Sequence, residues 1–258
     1  MPNIEDVIDV VKEAGAAALA LQEGAIREAK KDGEAVSAAD RASDLVLRRS
    51  LEKFGFPIFS EESQGEAGMP DTRWIIDPLD GTLPFLEGSS GWTVMVGFAR
   101  DGLPILGVVY SPPLQKLWYS DGAGAYCELG SKKKSICVSS RTDPHGAIMV
   151  ESIFHHEGDM DSVTRALGAI KTPMHGAGSK ICAVVEGEAD MTWSPGALGQ
   201  WDLCAPHAIL EAAGGILTDT FGKPIQYQGS SRTEGFAASN GKLHPALISA
   251  IQTIRAKG

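Results

Sequence analysis

The acidic residues with the most chemical potential in this chain fall at four places where a strand ends or a helix starts. Glu61-Glu62 follows Ile58-Phe59-Ser60, and Asp77-Pro78-Leu79-Asp80-Gly81-Thr82 follows Trp74-Ile75-Ile76. Asp202 comes just after Trp201, and Asp40 lies three residues beyond Ser37. The Asp77–Thr82 stretch is the most informative. Proline after Asp77 is expected to stop the strand and fix the backbone, so that Asp80 turns back toward Asp77. Two carboxylates on one tight turn could bridge a pair of hard divalent cations such as Mg²⁺, which take oxygen ligands and keep some water. Gly81 would let a phosphate approach the backbone, and Thr82 offers both an amide and a hydroxyl. A helix beginning there would add the N–H groups of an anion site.

Taken singly, each acid also has a purely structural reading. Asp-x-x-Asp-Gly-Thr is a capped turn by composition, and Glu61-Glu62 is a solvated acidic pair. Asp202 is a first-turn acid favoured by the helix dipole, and Asp40 the third residue of a capping-box variant. Taken together, in strand-ending or helix-starting context, they fit one cluster. Other motifs fail. Between Gly235 and Lys242 five residues separate the glycines and Leu243 follows the lysine, which breaks the Walker pattern. Gly176-Ala177-Gly178 lacks the third glycine of a dinucleotide fingerprint, His155-His156-Glu157 reads as a polar loop, and no Gly-x-Ser-x-Gly elbow exists.

The elements that must position these acids follow from periodicity. Ile4 to Ala29 reads as a long amphipathic helix broken at Lys30-Lys31-Asp32-Gly33, and Ser37 caps a second helix that runs to Phe54 before Gly55. Short strands come next: Trp74 to Ile76, a hairpin of Thr93–Ala99 and Ile105–Tyr110 about Asp101-Gly102, then Leu117–Tyr119 and Ala123–Cys127. Gly130 to Lys134 reads as a polar turn and junction between an N-terminal half (about 1–130), which carries most of the acids, and a C-terminal half (about 131–258) that supplies Asp202. That second half mixes strands at Ile148–Val150, Ala189–Trp193, Ile216–Thr218 and Phe236–Ser239 with helices through Ser162–Leu167, Ser179–Glu186, Trp201–Ala213 and His244–Arg255. The order implies a layered α+β domain.

With 258 residues, 43% of them hydrophobic, the chain can bury a substantial core. A formal charge of −10 provides no basic field for a nucleic-acid polymer or an anionic membrane. A phosphorylated small molecule stays admissible, because bound cations invert the local potential. The start, Met1-Pro2-Asn3-Ile4-Glu5-Asp6, lacks a secretory signal pattern, so a cytoplasmic protein is expected. Cys127, Cys137, Cys182 and Cys204 form no C-x-x-C pair and read as reduced.

Ser60-Glu61-Glu62-Ser63, Trp74-Ile75-Ile76-Asp77-Pro78-Leu79-Asp80-Gly81-Thr82 and Trp201-Asp202-Leu203-Cys204-Ala205-Pro206, continuing to Glu211-Ala212-Ala213-Gly214-Gly215, stand in this order across nearly the whole chain. Together they resemble the inositol monophosphatase superfamily of lithium-sensitive, magnesium-dependent phosphatases. The resemblance implies an αβαβα layered sandwich of the inositol monophosphatase / fructose-1,6-bisphosphatase type and two or three Mg²⁺ ions. Glu61, Asp77, Asp80, Asp202 and the Leu79 carbonyl would hold the metals. Asp40 and Thr82 would orient and activate the attacking water with Glu61 beside them, and the Gly81 and Thr82 amides would hold the phosphate. Within the superfamily, Gly178-Ser179-Lys180, Glu186-Gly187, Ser194-Pro195-Gly196 and Gly81-Thr82-x-x-Phe85-x-Glu87-Gly88 look like 3′(2′),5′-bisphosphate nucleotidases. Leu83-Pro84, where those enzymes show Lys-Glu, departs from them. An inositol or sugar phosphatase is the alternative, and a non-catalytic phosphometabolite-binding protein the rival from another class. Family members are often homodimers.

Overall fold

The computed structural model describes residues 2–25, 28–29, 35–62, 70–153, 158–229 and 232–256. Helix α1 (Ile4–Leu19) begins where the Asn3 side chain accepts the Glu5 amide, and it buries Val7, Ile8, Val11, Ala14 and Ala18 along one stripe. It ends well short of Ala29. The stripe stops at Ala18, Leu19 and Leu21 are exposed, and Glu28–Ala29 forms a short strand, β1, paired with β2 (Ala35–Val36). The break expected at Lys30 to Gly33 lies outside the described residues. Helix α2 (Ala38–Leu51) starts on Ser37 as anticipated, and a 3₁₀ turn at Glu52–Phe54 leads into Gly55 at φ 73°.

A seven-stranded sheet follows. Its neighbours, in order, are β3 (Ile58–Ser60), β4 (Arg73–Asp80), β5 (Thr93–Arg100), β6 (Leu103–Ser111), β7 (Lys116–Ser120), β8 (Ala125–Leu129) and β9 (Lys132–Ile136), with the short helix α3 (Thr82–Leu86) between β4 and β5. Only β3 and β4 pair in parallel. Asp101 and Gly102 both take positive φ, 53° and 78°, as a two-residue hairpin turn requires. The turn expected over Gly130–Lys134 is confined to its first two residues. Lys132–Ile136 pairs with β8 as an outer strand, and its exposed lysines guard the sheet edge.

The rest of the chain supplies β10 (Ile148–Ser152), α4 (Gly158–Leu167), β11 (Ile170–Met174), α5 (Ala177–Val185), β12 (Met191–Gly199), α6 (Gln200–Ala212), β13 (Ile216–Thr218), β14 (Arg232–Ser239) and α7 (His244–Arg255). The strands order as β11-β10-β12-β14-β13. Strand β11 escapes sequence reading because it is an outer strand with no buried residue and a proline, which an edge tolerates. His155-His156-Glu157 and Ser63 lie outside the described residues.

Three apolar clusters stack these pieces into five layers. One packs α1 and α2 onto the seven-stranded sheet, a second holds α5 and α6 between the sheets, and a third joins α4 and α7 to the outer face of the five-stranded sheet. The layering is αβαβα, the architecture anticipated from sequence. Helix α6 lies unusually close to the large sheet. A Cβ at Gly107 would meet the Ala205 carbonyl oxygen at 2.0 Å, and one at Gly97 would meet Cys204 Sγ at 2.6 Å. Helix α6 thereby brings its first turn down to the end of β4. No helix among the described residues is long and apolar enough to cross a membrane.

Candidate active site

Strand β4 does not stop at Pro78. It continues to Asp80 through a bulge: Asp77 pairs with Met95 and Asp80 with Thr93, so three steps on β4 span two on β5. In an unbroken strand, residues three apart point to opposite faces. The extra residue restores the parity and puts both carboxylates on one face. The expectation that proline ends the strand is therefore wrong, while the inference that Asp80 joins Asp77 is right. The Leu79 amide donates to Asp77 Oδ1 at 2.9 Å and fixes the bulge from within.

Asp202 reaches the same place from α6. Oxygens of Asp77, Asp80 and Asp202 all lie within 4.8 Å of one another. Asp202 is the third residue of its helix, and the Gly199 amide donates to its Oδ2 at 2.6 Å. Pro206 has no N–H for the carbonyl four residues back, which belongs to Asp202. Glu61 follows β3, with its amide bonded to the Ile76 carbonyl at 3.2 Å, and its charge and hydrogen bond both act on Asp77.

Asp40 sits in the same seat of α2 that Asp202 holds in α6. The Ser37 amide and hydroxyl donate to its Oδ2 at 2.8 and 2.7 Å, completing a capping box. Its other oxygen, Oδ1, accepts the Thr82 hydroxyl at 3.2 Å. The cap occupies one oxygen of Asp40 and Thr82 the other, so the capping and the chemical readings do not exclude each other. Thr82 follows Gly81, whose φ of 96° and close approach to the Gly91 carbonyl admit no side chain.

The first turn of α5 is the part that the sequence did not disclose. The Ala177 and Gly178 amides donate to Asp80 Oδ1 and Oδ2 at 3.3 and 2.9 Å, and Thr93 Oγ1 donates to Oδ2 at 3.5 Å. A Cβ at Gly176 would lie 2.7 Å from Asp80 Oδ2, so glycine there serves the carboxylate rather than a dinucleotide. Its neighbour Lys180 is buried, and its charge acts on Asp80, Asp202 and Glu151. The Gly176-Ala177-Gly178 run is the available sequence signal for this turn.

The electrostatics are those of a site that could hold cations. Burial, then the charges of Glu61, Asp80 and Asp202, push the Asp77 carboxyl well above the usual range. Burial, then Asp80 and Glu61, does the same to Asp202. Burial raises Asp80 against the opposing pull of the α5 amides and Lys180. Crowded carboxylates of this kind are stable as anions only beside a compensating positive charge. An all-oxygen donor set that can supply it fits a hard ion of the Mg²⁺ type. The residues present fit such an ion.

Comparison with known proteins agrees in extent as well as in kind. The family model described as the inositol monophosphatase family matches residues 3–256. A Salmonella typhimurium protein, 3′(2′),5′-bisphosphate nucleotidase CysQ, is 33% identical over 232 residues, which is 87% of this chain and 93% of the relative. A Mycobacterium tuberculosis histidinol-phosphatase is 31% identical over 229 residues, 86% of each chain. Among solved structures, an IMPase of Thermotoga maritima superposes with a TM-score of 0.85 at 23% identity, covering 100% of this chain and 99% of its own. CysQ from Bacteroides thetaiotaomicron gives 0.78 at 25% identity over 92% and 96%.

Proposed function

This chain belongs to the inositol monophosphatase family and is a phosphoric monoester hydrolase, and from that premise we propose that it is a Mg²⁺-dependent, lithium-sensitive 3′(2′),5′-bisphosphate nucleotidase. The observation that carries the chemistry is the β4 bulge, which sets Asp77 and Asp80 beside Asp202 with the Asp40–Thr82 pair next to them. The substrate reading draws on the curated nucleotidases that align with most of the chain. It also draws on Pro195, since the resemblance to inositol monophosphatases implies an acidic residue at that place for an inositol substrate.

In this reading Glu61, Asp77, Asp80, Asp202 and the Leu79 carbonyl hold the metal. When bound, the metal supplies positive charge to the phosphate and leaving oxygens and acidifies a water. Thr82 gives its hydroxyl proton to Asp40, so its oxygen lone pairs face the opposite way. That oxygen accepts a hydrogen from the attacking water and aims the water at phosphorus. Asp40, made more basic by burial, takes up the proton through Thr82. The Gly81 and Thr82 amides hold phosphate oxygens, and Gly81 keeps the approach clear of side chains. Glu61 accepts a hydrogen bond from the same water. No covalent phosphoenzyme is formed.

The test is phosphate release by the purified protein with Mg²⁺, with and without Li⁺. The panel is 3′-phosphoadenosine 5′-phosphate, inositol 1-phosphate, fructose 1,6-bisphosphate and histidinol phosphate. Lithium-inhibited preference for the adenosine bisphosphate is expected. Preference for histidinol phosphate, which the second group of curated relatives hydrolyses by name, would keep the mechanism and replace the substrate. No turnover in folded, Mg²⁺-supplied protein would favour a phosphometabolite-binding protein.

A further inference from the structure

Arg73 is the first residue of β4, four before Asp77, and only 2% of it is exposed. Its Nη2 donates to Gln200 Oε1 at 2.8 Å and to the Tyr227 carbonyl at 3.2 Å. Its guanidinium carbon lies 4.9 Å from the centre of the Phe59 ring, and Phe59 in turn meets Trp201 at 5.5 Å between ring centres. Gln200 continues the chain of bonds by donating Nε2 to the Gln228 carbonyl at 3.2 Å.

Three of these partners, Phe59, Gln200 and Trp201, stand one or two residues from a candidate metal ligand. Phe59 precedes Glu61 by two residues, Gln200 precedes Asp202 by two and Trp201 by one, and Arg73 shares a strand with Asp77 and Asp80. We infer that Arg73 is a positioning residue: its buried guanidinium clamps β3, β4 and the start of α6 together and so fixes the spacing of the acids that these elements bring from both halves of the chain. It does not act as their counter-charge. Burial lowers its pKa, and the carboxylate whose charge opposes this is that of Asp71, not one of the acid cluster.

Stability alone gives a poor reason for the residue. A cation buried against neutral acceptors is costly, its Nε has no hydrogen-bond partner, and an apolar side chain of like length would fold about as well or better. The inference rests on the metal-site reading above, and its test separates the two. Full-length wild type, Arg73→Met, Arg73→Lys and Gln200→Met would be compared for Mn²⁺ binding by loss of the free-ion EPR signal, for Mg²⁺ half-saturation against kcat, and for Tm.

Arg73→Met is expected to keep or raise Tm while weakening Mn²⁺ binding about tenfold or more, the usual effect of losing a residue that supports metal ligands. Mg²⁺ half-saturation should rise in parallel, with kcat at saturating Mg²⁺ far less affected. Arg73→Lys should recover part of the affinity. Gln200→Met, which keeps the guanidinium, should weaken binding in the same direction and serves if Arg73→Met does not fold. Unchanged Mn²⁺ affinity in a folded variant would overturn the inference. Wild type that bound Mn²⁺ but released no phosphate would instead overturn the phosphatase reading and leave the affinity comparison to decide the role of Arg73.

Discussion

Asp40 and Asp202 show how one side chain serves two masters. Each is the third residue of its helix and accepts, on Oδ2, the backbone N–H of the residue that caps it. In Asp40 the second oxygen is turned to Thr82. Removing the Thr82 hydroxyl leaves the helix cap intact and takes away its contacts with Asp40 at 3.2 Å and with the Leu79 carbonyl at 3.5 Å. Thr82→Val should therefore lower kcat by about 10²–10⁴-fold, the span of a positioned proton acceptor, with Tm and Mn²⁺ affinity near wild type; steady-state rates beside a thermal melt would decide it. Asp202→Asn keeps an acceptor for the Gly199 amide but removes the charge of a proposed ligand, so a metal titration should show a large rise in the Mg²⁺ required. Wild-type rates in that variant would remove Asp202 from the site. At this scale the sequence disclosed the acids by type and spacing, because carboxylates before helices and after strands are local features. It hid the bulge, since whether residues three apart share a face depends on the partner strand. It also hid the α5 amides, since a backbone donor carries no residue identity.

Elements in this fold are placed by what they lack as much as by what they carry. Gly107 and Gly97 leave the large sheet bare where α6 crosses it. Gly107→Ala would put a methyl group into the Ala205 carbonyl, and backbone cannot swing aside as a side chain does. A loss of about 1–3 kcal/mol is expected from the overpacking, with lower Mg²⁺ affinity because the displaced helix carries Asp202; urea unfolding and a metal titration measure the two effects. Helix α7 holds a second consequence. His244, at its start, meets Thr218 Oγ1 at 2.9 Å and Ser239 Oγ at 3.1 Å, and burial lowers its pKa from 6.5 to about 4. The unfolded chain binds this proton more readily than the folded one. Stability from His244 is thus fully present above pH 6.5 and is lost as pH falls from there to about 4, amounting to about 3 kcal/mol. In His244→Gln the acid limb of a stability–pH curve should flatten. Helix ends such as Ser37 and Gly55 were legible from capping chemistry. The end of α1 was not, because alanine-rich sequence propagates helically on paper after its buried stripe has run out.

For the molecule as a whole, the acid cluster links metal, proton and fold. Burial raises Asp77, Asp80 and Asp202 above their unfolded values, reinforced at Asp77 and Asp202 by the neighbouring carboxylates. The folded, metal-free chain therefore favours their protonated forms, and it loses stability as pH rises from the ordinary carboxylate range through the raised values. Bound Mg²⁺ should reverse this. Thermal scans of EDTA-stripped His244→Gln protein, free of the His244 contribution, should show Tm falling as pH rises from the ordinary carboxylate range. The increase in Tm on adding Mg²⁺ should be larger at pH 8.5 than at pH 6.5, with about 2.7 kcal/mol available at a hundredfold excess over Kd. An increment independent of pH would argue that these acids are not the ligands. The layered architecture itself was legible because alternating and helical periodicities survive in most elements. Edge strands such as β11, too short and too exposed to carry a period, were not.

The close seating of α6 on the large sheet has a consequence for how the chain is made. The seven strands are complete at Ile136, yet the helix that covers their inner face ends only at Ala212. A ribosome adding about 5–20 residues per second needs roughly 4–15 s to cross that interval. Throughout it, Phe59, Ile75, Met95 and Val109 have no α6 to cover them. The newborn protein is greasy on one side for seconds, and the helix that finally delivers Asp202 is also the one that ends the exposure.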